Sequence, residues 1–230
     1  MSARTPGVLA AAWIIARKDL AIEFRTRSAF LSALVLSLLS IVIFYFAWDP
    51  TAIGAADLAP GVLWVTFTFS GLLGMHRSFG VEQHDGAMDA LLVAPVPREG
   101  LFLGKALANL VFVLGVQAVA LPAVALFYNL PIGPAFGALA LLMLLASVGL
   151  VAVGTMFAGM TANTRLAELL LPVLAMPFFV PIVMPAAKVT ASLLGGRPLE
   201  EAFAWLRILL AFDLVFAYIC MLLFPLTLDD

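Results

Sequence analysis

Six apolar runs limit what this chain can become. They lie near 28–48, 58–75, 106–128, 135–160, 169–187 and 202–228, and the first five hold no charged side chain. About 20 apolar residues cross the hydrocarbon of a bilayer. A backbone there must satisfy its own hydrogen bonds, so helices are the economical solution. The fold expected is therefore an all-α polytopic membrane protein with six transmembrane helices. Charge agrees: 11% of residues are charged, where a soluble domain carries about 25%. Each connection has its own punctuation, Asp49-Pro50 after the first run and Gly/Pro-containing stretches at 129–134 and 195–198. No soluble domain, low-complexity tract or solenoid repeat interrupts the series. The single Cys220 rules out a disulfide framework within the chain.

Residues 1–27 are not a seventh span. Val8 to Ala16 is apolar but too short, and Arg17, Lys18 and Asp19 follow at once. No small-x-small cleavage site precedes those charges, which disfavours a signal peptide. Leu9, Trp13, Ala16, Leu20 and Phe24 recur on one helical face, the pattern of an interfacial helix with Trp at the headgroups. Glu23 and Arg27 stand four apart, a favourable helical pair. Orientation follows from Lys and Arg. With the N-terminus in the cytoplasm, Arg4, Arg17, Lys18, Arg25, Arg27, Arg77, Arg98, Lys105 and Arg165 lie inside, and only Lys188, Arg197 and Arg207 outside. The positive-inside rule then puts both termini in the cytoplasm.

The longest polar interruption, 76–105, falls on that inner side. It holds Arg77, Glu82, Asp85, Asp89, Arg98, Glu99 and Lys105. Within it, 81–94 has the pattern of a short helix. Met88, Leu91, Leu92 and Pro95 recur at i, i+3, i+4 and i+7, beside the carboxylates of Glu82, Asp85 and Asp89. Pro95 and Pro97 end the pattern, since proline lacks an N–H and restricts its predecessor. Gly86 allows close backbone approach. Membrane-surface helices favour Lys and Arg on their polar face, so this acidic element reads better as a handle for a cytosolic partner than as a headgroup contact.

Chemistry intrinsic to the chain is not expected. The two histidines, His76 and His84, both lie in the polar segment, and no HExxH, Walker A or metal-ligand spacing occurs. The adjacent His84-Asp85 has no sheltered site around it. Inside the spans, Asn109 and Gln117 can line a path or hold helices together, the second being the simpler use. Asp213 is the one carboxylate in a run, about 8 Å deep if the outer boundary lies near Arg207. At that depth it can serve function or reach an outer vestibule. Thr66, Ser70, Gly74 and Ser78 make a small-residue face at i+4 spacing. Pro172, Pro177, Pro181 and Pro185 crowd the fifth run, which should bend or break toward its outer end.

Four pieces carry a family resemblance: KDLAIEFRTR at 18–27, LAPGVLWV at 58–65, RSFGVEQHDGAMDALLVAPVP at 77–97 and MTANTRLAELLLPVLAMP at 160–177. The third is the most specific, with RxFxxE, then DG, then LLxxPxP. The chain resembles the protein B, or haem exporter permease, family of the cytochrome c maturation ABC complexes, along nearly its whole length. The resemblance implies a type-2 ABC exporter arrangement in a bacterial inner membrane, with 76–105 as the coupling segment and a second copy of the chain. It implies a cytosolic ABC ATPase subunit that binds the ATP, a haem-handling membrane subunit, a small single-span subunit and a periplasmic haem chaperone. Haem is then a substrate, or part of a chaperone released at the expense of ATP. This chain itself would hold no cofactor, and no histidine lies at membrane depth to ligate iron. Membrane lipids are partners; nucleic acid is not. Beside the resemblance, the residues alone leave open a permease for a lipid, glycan or drug, and a non-transporting scaffold for an ATPase.

Overall fold

The computed structural model of the protein describes residues 6–84, 96–162, 164, 166–196 and 199–228. Among them the chain forms α1 (Val8–Thr26), α2 (Ser28–Ala47), α3 (Ala55–His84), α4 (Arg98–Phe127), α5 (Ile132–Thr161), α6 (Ala167–Leu194) and α7 (Leu199–Leu223), then a 3-10 turn (Phe224–Leu228). No strand occurs among the described residues. Six helices, α2 to α7, are long and apolar enough to cross a membrane. They coincide with the six apolar runs.

The helix ends differ from the apolar runs, for a physical reason. α3 and α4 each have 30 residues, about 45 Å of helix against a hydrocarbon layer of about 30 Å. Each therefore carries polar turns beyond its apolar stretch. Residues 76–84 are the end of α3 and 98–105 the start of α4, so both ends of the polar segment are helical. Helix α3 also starts a turn early, which puts Pro60 inside it. At the other extreme, α7 stops at Leu223 and the chain tightens into the 3-10 turn around Pro225.

Helix α3 is the centre of the bundle. Its spanning window is 72% buried, against 22% for α2 and α7. Trp64, Phe67, Met75 and Phe79 point from it into the core. Lipid tails are as apolar as leucine, so burial alone does not drive such helices together; close packing and polar contacts do. The small face of α3 supplies both. Ser70 shares a 2.6 Å hydrogen bond with Ser37 of α2. Gly74 lies under the Phe112 ring of α4, where a side chain on the glycine would collide. Trp64 Nε1 donates to Thr190 Oγ1 of α6 at 2.9 Å. At the far end of α2, Tyr45 meets Phe127 and Tyr128 edge to face, and Trp48 lies tilted against Tyr128, at the end of α4. Asp49 folds the following turn by accepting both the hydroxyl and the N–H of Thr51. Those bonds hold its carboxyl below the usual carboxylate range.

Helix α1 buries Ala11, Ala12, Ile15 and Ala16 against the bundle and leaves Leu9, Trp13 and Phe24 exposed. A stripe of small side chains allows the closer approach. Two expectations need correction. Glu23 does not pair with Arg27; its Oε1 accepts the Phe30 N–H at 2.7 Å and so satisfies an orphan donor at the start of α2. Of the bend or break expected in α6, the break is absent: the helix runs through Pro172, Pro177, Pro181 and Pro185 as one element.

Candidate functional site

The expected ATPase-coupling residues Asp85, Gly86, Met88, Asp89, Leu91, Leu92 and Pro95 lie outside the described residues. Glu82 falls in the last turn of α3, so residues 81–84 continue the spanning helix rather than begin a separate one. What the structure does show is how the two roots of that segment are held, the end of α3 and the start of α4.

Three contacts hold them. Lys105, in the second turn of α4, has a fully buried side chain. Its Nζ lies 3.0 Å from Asp19 Oδ2 of α1 and donates to the Ser78 carbonyl of α3 at 2.7 Å. It also sits 5.0 Å from the centre of the Phe79 ring, within cation–π range. Asp19 Oδ2 is buried without an aligned hydrogen-bond donor, so the charge of Lys105 is its compensation. Lys18, 3.2 Å from Asp19 Oδ1, is the outer member of the group. One ammonium thereby joins α1, α3 and α4.

The second contact comes from α1 itself, which lies along Gly100 and Gly104 of α4. A Cβ on Gly104 would stand 2.7 Å from Ile15 Cβ and 2.8 Å from the Ala12 carbonyl. Glycine four residues apart is what lets two helix backbones approach this closely. The third comes from the 3-10 turn. Arg98, the first residue of α4, donates from Nη1 to the Pro225 carbonyl at 3.1 Å. Phe224 is fully buried, with its ring 5.2 Å from Phe102 and 6.3 Å from Phe79. It rests on Gly159 of α5. Elements from both extremities of the described chain thus clamp the same end of the bundle.

Deeper in, the polar residues bridge helices. Asn109 Nδ2 donates to Thr155 Oγ1 at 3.0 Å. Gln117 and Ser147 exchange hydrogen bonds at 2.9 and 3.2 Å. Both pairs cross from α4 to α5. Asp213 stands elsewhere, between α5, α6 and α7. It is 5% exposed, and neither carboxyl oxygen has a hydrogen-bond partner among the described residues. Its carboxylate rests on Gly149 of α5, close to Ile182 of α6. Helix α7 starts at Leu199, well before Arg207. Asp213 is therefore about 21 Å along the helix, near its middle rather than just inside an outer boundary.

No set of three or more His, Cys, Asp or Glu able to hold a metal occurs among the described residues. What this arrangement can do is mechanical: motion at the α3–α4 junction passes directly into two long helices.

Comparison with known proteins adds the family. The family described as CcmB protein matches residues 10–229. This chain belongs to the CcmB family. Heme exporter protein B of Rhodobacter capsulatus is 31% identical over 189 residues, 82% of this chain and 86% of that protein. The protein of the same name from Paracoccus denitrificans is 33% identical over 183 residues, 79% and 84% of the two chains. That from Pseudomonas aeruginosa is 27% identical over 201 residues, 87% and 90%. Within this CcmB-family chain, the residues that hold the junction were only partly visible beforehand. The charge bias counts Lys105 as a cytoplasmic charge, although GLFLGKALANL at 100–110 shows it embedded in an apolar, glycine-spaced stretch, and Asp19 stands out only as one of the charges that end an apolar run. Phe224 carried no signal of its own among so many apolar neighbours.

Proposed function

We propose that this chain is the membrane permease subunit of an ATP-driven complex for cytochrome c maturation. It works in a bacterial inner membrane with both termini in the cytoplasm. A separate cytosolic ABC ATPase subunit hydrolyses the ATP, and this subunit carries no catalytic group of its own. Its movement serves haem export, or release of a haem-loaded chaperone on the periplasmic side. A haem-handling membrane subunit, a small single-span subunit and a second copy of this chain complete the complex. The observation that carries the reading is the CcmB-family match over nearly the whole chain. The braced α3–α4 junction supports it, since a coupling segment needs roots that do not yield. Both roots meet Lys105, and Phe224 packs on both. In this reading Met88, Leu91 and Leu92 enter a groove of the ATPase, and Glu82, Asp85 and Asp89 meet its basic groups.

The test is a pull-down of the ATPase with wild-type and Leu91→Asp protein at equal membrane levels, scored beside the yield of c-type cytochromes. A buried, unpaired charge in the groove weakens a micromolar contact by about a hundredfold or more. Loss of both binding and yield is expected. Unchanged binding and yield would remove the coupling role of this segment.

A further inference from the structure

Where α1 turns into α2, the bundle leaves a cleft of about 620 Å³, a size suited to small-molecule ligands. Its inner walls are apolar: Phe24 of α1, Phe30 of α2, and Val111, Phe112 and Gly115 of α4. Phe24 and Val111 are exposed, and Val111 lies on a helix long and apolar enough to cross a membrane. Its rim is charged, with Asp19, Glu23, Arg27 and Arg77 all contributing.

Those four charges are not equivalent. Asp19 is neutralised by Lys105 and Lys18. Glu23 is taken by the Phe30 N–H. The polar Asn109 at the back is turned to Thr155. The two arginines are differently placed. Arg27 Nε donates to the Phe24 carbonyl, and Arg77 Nη1 to the Ser28 hydroxyl. Among the described residues neither guanidinium has a carboxylate partner. Both line the same cleft beside Ser28, which follows Arg27 in the chain and whose hydroxyl accepts from Arg77. The position of Arg27 is enforced by the backbone. It holds φ +55°, the left-handed conformation that joins the two helices, with its N–H bonded to the Glu23 carbonyl at 2.7 Å. A residue with a Cβ pays strain for that conformation, so the elbow sets the backbone from which the Arg27 side chain leaves.

We propose that this cleft binds an anionic phospholipid, with the headgroup phosphate between Arg27 and Arg77 and an acyl chain along Phe30 and Phe112. Guanidinium matches phosphate in geometry as well as in charge. The apolar wall opening to the bilayer accepts a chain rather than a free ion. The lining contains no His, Cys, Met or Tyr, so a haem placed here would find no side chain to ligate its iron. The inference is independent of the proposed transport role.

The test uses the full chain in detergent and native mass spectrometry. Dioleoyl-phosphatidylglycerol, dioleoyl-phosphatidylcholine and haem are offered separately. Wild-type protein is expected to retain phosphatidylglycerol in preference to phosphatidylcholine. Arg27→Gln/Arg77→Gln lowers phosphatidylglycerol affinity by about 30-fold and abolishes the preference. Gly115→Leu fills the apolar wall, where a Cβ already comes 3.2 Å from the Phe30 ring, and lowers retention of both lipids. Arg207→Gln, an exposed arginine on α7, leaves both unchanged. If the double variant melts below wild type, Arg77→Gln alone carries the test, since its backbone is ordinary helix. Equal retention of the two lipids, a preference that survives the arginine variants, or retention of haem over phosphatidylglycerol overturns the proposal.

Discussion

Replacing Lys105 by methionine tests the junction most directly. Methionine keeps much of the apolar stem and removes the ammonium. Three things are lost: the ion pair to Asp19 at 3.0 Å, the hydrogen bond to the Ser78 carbonyl and the cation over Phe79. Removing one partner of a buried pair costs about 3–5 kcal/mol, mostly because the other charge is stranded. Here Asp19 keeps Lys18 and 12% side-chain exposure, which reduces that figure. An overall cost of about 3 kcal/mol follows, a fall of roughly 6–12 °C in Tm for a chain of this size. Thermal unfolding of the purified protein in one detergent measures it. Asp19→Asn/Lys105→Met strands no charge and should recover more than half of the loss. Cysteine accessibility at Ala12 reports the structural consequence, since α1 should lift from α4 in Lys105→Met and settle again in the double variant. If Lys105→Met melts within about 2 °C of wild type, or if the double variant loses the sum of the two single losses, the ion pair does not hold the junction.

Other expectations are as specific. Gly149→Ala drives a methyl group into the Asp213 carboxylate and should cost about 1–3 kcal/mol as overpacking; Gly149→Ala/Asp213→Ala should recover most of the Tm, and a harmless single variant would refute the contact. Cysteines at Asp57, Asn129 and Gly196 should label from the periplasm and those at Gly86 and Thr164, which is exposed, from the cytoplasm, with little background because Cys220 is buried; labelling of Gly86 from outside would invert the topology. Pro177→Ala/Pro181→Ala should insert normally and lower c-type cytochrome yield, whereas full yield would make those prolines incidental.

The spans were legible because hydropathy over twenty residues is a summed signal that no single side chain can spoil. Their ends were not. The charges of 76–80 and 98–105 read as a break between spans, yet both stretches are helix, since a charged residue terminates an apolar run without terminating a helix. Lys105 shows the difference: its charge is neutralised by Asp19, some eighty-five residues earlier in the chain, a pairing that local sequence cannot display. Asp213 lies farther along its helix than a boundary at Arg207 suggests, for the same reason. Arg207 looked like a boundary, while α7 starts at Leu199 and carries that arginine on an exposed flank. The four prolines of α6 were visible, but the unbroken helix depends on neighbours that flank it only in three dimensions. The character of Asn109 and Gln117 was readable; their partners Thr155 and Ser147 were not.

Phe224 has a consequence for biogenesis. It follows every spanning helix in the chain, so a ribosome delivers it only after α3 and α4 have already entered the bilayer. Until then Phe79, Phe102 and Gly159 face an empty slot where its ring will sit. A nascent chain can therefore insert its spans in order and still lack the finished platform at their shared end. Assembly of that platform therefore waits for the last span, so a chain that lacks it presents an unfilled slot between α3, α4 and α5.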